Sequence, residues 1–116
     1  MSRPVLVVYG PVFLCNAEFM MGKSEDVEYR ISWLSWLCPR INGWLDGTRV
    51  DGDVRAQWVA RRMKSLFDGF CDWTKLRMEE CDSPDFKMLV RTYKRLNGLC
   101  RNSAEPKSVL PATALI

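Results

Sequence analysis

No histidine occurs anywhere in the 116 residues. Its absence removes the general base of Ser-His-Asp and Cys-His catalysis, the commonest zinc ligand and the usual proton shuttle near neutral pH. The chain also lacks an apolar run long enough to span a bilayer, a C-x-x-C pair, an internal repeat and a heptad series. Its cysteines, Cys15, Cys38, Cys71, Cys81 and Cys100, are odd in number and widely scattered. They read as reduced, mostly buried thiols of a cytoplasmic or nuclear protein rather than as a disulfide framework or metal knuckle. On these grounds we expect no catalytic residue, no metal, no cofactor and no membrane association.

What is present suits one folded domain. Hydrophobic residues make up 47% of the chain, an ordinary content for a globular core of this size. We expect a single domain over residues 1–101 and a flexible tail over 102–116, where two prolines and no hydrophobic period occur. The net charge of +3 is unevenly placed: residues 1–50 hold five basic and five acidic groups, 51–82 six and seven, and 83–116 six and two. The positive excess therefore belongs to the last third.

That third contains the clearest helix. Ser83 suits an N-cap, Pro84 the first helical position and Asp85 the positive end of the dipole. Phe86, Leu89, Val90, Tyr93 and Leu96 recur at helical spacing, and Asn97-Gly98 reads as a left-handed stop. The opposite face carries Lys87, Arg91, Lys94 and Arg95, with Arg101 just beyond and Asp85 the one acid inside. Without carboxylates four residues away, intrahelical pairing is largely missing. A solvated surface explains such a face; so does a surface for phosphates, which reward clustered Lys and Arg through counterion release.

Upstream, three further helices are expected. One runs from about Glu25 to Cys38, capped by Ser24 and stopped before Pro39, with Val27, Ile31, Trp33 or Leu34, and Leu37 facing the core. A second begins at the N-cap Asp53 and ends near Phe67, with Val54, Trp58, Val59, Met63, Leu66 and Phe67 on the core side; a third spans about Phe70 to Glu80 after the breaker Asp68-Gly69. Arg55 and Arg62 lie seven apart on the second and extend the basic surface if it packs beside the last helix. The segment from Pro39 to Gly52, with its Asn-Gly and Asp-Gly pairs, reads as a loop carrying Trp44.

The N-terminus pairs two short apolar runs, Val5–Tyr9 and Val12–Cys15, across Gly10-Pro11, and reads as two strands of a hairpin rather than as an export signal. Ala17 to Ser24 fits the loosest form of a phosphate-binding loop, since Gly22, Lys23 and Ser24 close it, but Phe19, Met20 and Met21 supply bulk where flexible backbone is needed.

The expected fold is thus mainly α: a small bundle of about four helices with a short N-terminal extended segment or hairpin. The first functional expectation is a non-enzymatic binder of RNA or DNA backbone using Lys87, Arg91, Lys94, Arg95 and Arg101, with Arg55 and Arg62. The alternative is a protein-interaction module, homodimeric or with another protein, that exposes Trp36 and Trp44 in the manner of a small viral or phage accessory protein. Nucleotide binding at Ala17–Ser24 is the remotest reading.

Overall fold

A computed structural model describes residues 10–101, the side chains of Glu79, Asp85 and Arg101 excepted. Four helices form a bundle, and no strand occurs among the described residues: α1 (Val12–Met21), α2 (Val27–Asp46), α3 (Val54–Thr74) and α4 (Lys87–Arg101). Single 3-10 turns at Val50–Gly52, Met78–Glu80 and Pro84–Phe86 join the later ones. Helix α2 packs on all three others, and α4 packs on both α2 and α3. The expected tail and the Val5–Tyr9 run lie outside the described residues.

The second half of the expected hairpin is corrected: Val12–Cys15 is the first turn of α1. Pro11 stands at the N-cap, where its missing N–H costs nothing, and its carbonyl accepts from Leu14 (3.0 Å). Leu14, Ala17 and Met21 then fall on one buried face. A short apolar run does not distinguish strand from helix, and here the helical spacing decides.

Helix α2 starts two residues later than expected and does not stop at Pro39. Asp26 takes the N-cap, while Ser24 Oγ accepts from the Asp26 N–H (3.1 Å). Pro39 deprives the Ser35 carbonyl of its partner, a loss of about 3 kcal/mol in a helix interior. Both residues are exposed, so that carbonyl is not sealed in the core. Beyond the proline, burial of Ile41 and Leu45 continues the stripe begun by Leu34, Leu37 and Cys38, and that burial outweighs the break. Trp44 therefore sits on a helix, half-buried, not on a loop. Val27, expected inside, is exposed at the helix start.

The two middle helices are one. Asp53 is the N-cap as expected, its carboxylate accepting from the Arg55 N–H (3.0 Å), but α3 continues through Asp68-Gly69 to Thr74. It is held there by Phe67 and Phe70, buried on either side of that pair. The helix ends at Lys75, a non-glycine residue in the left-handed region (φ 63°), where the Leu76 N–H reaches the Cys71 carbonyl. Val54, expected in the core, is exposed. The last helix begins later than expected, since Pro84–Phe86 is a 3-10 turn and α4 starts at Lys87, but its stripe is correct: Leu89 and Leu96 are buried, and Val90 and Tyr93, with Phe86 from the turn, pack against the core. Gly98 does not stop that helix, which runs to Arg101.

A polar network crosses the α2–α4 seam. Thr92 is fully buried and accepts from Asn42 Nδ2 (2.9 Å), which also donates to the Cys38 carbonyl (2.8 Å). Arg95 closes the network, donating to Asn42 Oδ1 (2.9 Å) and Asp46 Oδ1 (2.5 Å). Thr92→Val removes an acceptor without changing the shape, so an Asn42 N–H is left unpaired at a cost of about 1–3 kcal/mol. Urea unfolding measures it; a loss below about half a kcal/mol contradicts the network.

Candidate nucleic-acid interface

Three cations converge on one concave surface. Lys87, Arg91 and Lys94 are exposed on α4 at i, i+4 and i+7, a spacing that aligns them along about 10 Å of the helix. They line an open cleft of about 440 Å³ whose other wall is the irregular chain Cys81–Asp82–Ser83 with Pro84, and Val90 adds an apolar patch. Among the described residues none of the three cations makes an ion pair. Among the described residues Asp82 is the one acid in the lining, against three cations.

The other expected site residues are placed elsewhere. Arg95 is turned to α2 by Asn42 and Asp46. Arg62 ties α3 to α1: it donates to both Glu18 carboxylate oxygens (2.6 and 3.0 Å) and lies 3.4 Å from Cys15 Sγ. The Glu18 hydrogen bond raises the Arg62 guanidinium above its ordinary value, against the opposing effect of burial. Arg55 is exposed at the start of α3 and does not line the cleft. The Arg101 side chain lies outside the described residues. What sequence reasoning missed is the opposite wall: nothing in the spacing of Cys81, Asp82 and Ser83 signals that they fold back beside α4.

Trp36 and Trp44 are half-buried and pack against the core. Trp36 meets Trp33 edge-on at 5.0 Å and is covered by the Arg40 guanidinium, 3.8 Å from the ring centre, so much of its surface is already taken. Phe19 is the more exposed aromatic, 64% accessible beneath Lys23. The segment Ala17–Ser24 is the last part of α1, to Met21, and the turn that follows it. The N–H groups of Gly22 and Lys23 donate to the carbonyls of Phe19 and Met20, so they do not turn outward to cradle a phosphate.

Behind the cleft, α3 and α4 are joined by Tyr93, which stacks on Phe67 (5.7 Å) and donates its hydroxyl to Asp68, whose other oxygen takes Lys64 Nζ (2.7 Å). Burial, and then the hydrogen bond to Asp68, pushes the Tyr93 phenol well up. Burial likewise raises the thiols of Cys38 and Cys100. A group whose folded value is raised contributes stability in full below its unfolded value and loses it as pH climbs towards the folded one. We therefore expect stability to decline above about pH 8.5 as the unfolded chain's thiols ionise, and again above about pH 10 for the phenol. Tyr93→Phe should flatten the second decline in urea unfolding followed against pH, while an unchanged profile contradicts the assignment.

These features define a small α-helical bundle with a basic cleft. Comparison with known proteins gives no match to a family model, a curated protein or a solved structure. The cleft is accordingly read from its own chemistry. All five cysteines are free thiols, and no helix among the described residues is long and apolar enough to cross a membrane.

Proposed function

We propose that this chain is a non-enzymatic binder of nucleic-acid backbone, and that phosphates enter the cleft along α4. The observation that carries this reading is the alignment of Lys87, Arg91 and Lys94, exposed and without ion pairs among the described residues, on one concave surface. Phosphate oxygens would take the place that carboxylates occupy around Arg62 and Arg95. Contacts of this kind position a strand without reading its bases, so sequence preference is weak. The free thiols fit an intracellular setting for such a protein.

Fluorescence anisotropy with labelled single-stranded and duplex RNA and DNA tests the proposal. Three phosphate contacts correspond to a slope of log affinity against log salt of about −2.7 on duplex and about −2.1 on a single strand. A fourfold rise in salt should then weaken binding roughly 20- to 40-fold. Absence of binding even at low salt would reduce the cleft to a solvated surface.

A further inference from the structure

Ser83 is a residue of the cleft whose chemistry the backbone-binding reading leaves unused. It stands in irregular chain between the turns Met78–Glu80 and Pro84–Phe86, half-exposed, and its carbonyl accepts from the Phe86 N–H (3.1 Å), which fixes it at the head of the turn that leads into α4. It lines the same cleft as Lys87, Arg91 and Lys94. Pro84 follows it, giving the Ser-Pro pair that proline-directed serine kinases recognise. A phosphoryl group adds about −1.5 to −2 charge and three acceptor oxygens, and its effect depends on the charges opposite. Among the described residues three cations line the same cleft as Ser83, and Asp82 is the one acid there.

We propose that Ser83 is a phosphorylation site and that its phosphate seats among Lys87, Arg91 and Lys94. A proline-directed serine kinase supplies the group: the γ-phosphoryl of ATP passes to Ser83 Oγ, its bond to the β-phosphate oxygen breaks, the hydroxyl proton is released and ADP departs. The site so formed is filled from within the chain. Resting on the backbone-binding reading, the modification acts as an off switch, because it neutralises most of the positive charge that an incoming phosphate would meet.

The test uses the full chain. A proline-directed serine kinase with ATP should add one phosphate to the folded protein, mapped to Ser83 by mass spectrometry and lost in Ser83→Ala; no incorporation at Ser83 overturns the proposal. Phosphorus NMR of the modified chain should place the second phosphate pKa at least half a unit below its ordinary value of about 6, with recovery in an Arg91→Ala/Lys94→Ala background. An ordinary value overturns the seating. Affinity for a labelled RNA oligonucleotide should fall at least about tenfold on modification. If the unmodified chain binds no nucleic acid while the phosphate titrates low, the binding reading fails and the Ser83 site stands. If the unmodified chain binds and modification leaves its affinity unchanged, the switch fails and the binding reading stands.

Discussion

Phe67→Ala is expected to remove about 3–5 kcal/mol of folding stability, the cost of emptying a fully buried aromatic site that cannot collapse. Phe67 is completely inaccessible and stacks on Tyr93, so it joins α3 to the helix that carries the cleft. A domain of this size holds about 5–15 kcal/mol in total, and the midpoint of thermal unfolding should fall by roughly 10–20 °C. Urea unfolding followed by tryptophan fluorescence measures the loss. A change below about 1 kcal/mol would contradict the packing of α3 on α4.

The second large effect is functional. Arg91→Glu with Lys94→Glu replaces two of the three cleft cations by acids beside Asp82, so the surface that attracts phosphate repels it. Affinity for RNA or DNA should fall on the order of a hundredfold or more, since like charges brought together cost several kcal/mol. Both side chains are exposed, so the thermal midpoint should barely move. Reversing Arg95 is the instructive contrast. Its partners are Asn42 and Asp46, and its reversal should disturb the α2–α4 seam more than it disturbs binding. Binding retained by the double variant would remove Arg91 and Lys94 from the proposed interface.

The contrast between these arginines marks how far the sequence reaches. The face of α4 is legible because helical periodicity alone aligns Lys87, Arg91 and Lys94, and the stripe opposite them is apolar. Arg95 and Arg62 look equivalent in sequence, but their partners lie 49 and 44 residues away, at distances that no local pattern encodes. The same limit explains the helices. Pro39 and Asp68-Gly69 are sound local stop signals, overridden because Ile41, Leu45 and Phe70 gain more by staying in register with the core than the backbone loses. Val12–Cys15 is different: its apolar run is compatible with strand or helix, and only the burial of Leu14, Ala17 and Met21 on one face resolves it. Asp53 succeeded as a cap because that interaction is local.

The count of phosphates held by the cleft tests the account most directly. Lys87→Ala, Arg91→Ala and Lys94→Ala, each titrated with the same duplex over a range of salt, should each reduce the steepness of log affinity against log salt by about one. Arg62→Ala, whose side chain is held by Glu18, should leave it unchanged. Three cleft variants with the slope of the unmodified protein, or a reduced slope in Arg62→Ala alone, would contradict a phosphate site on α4.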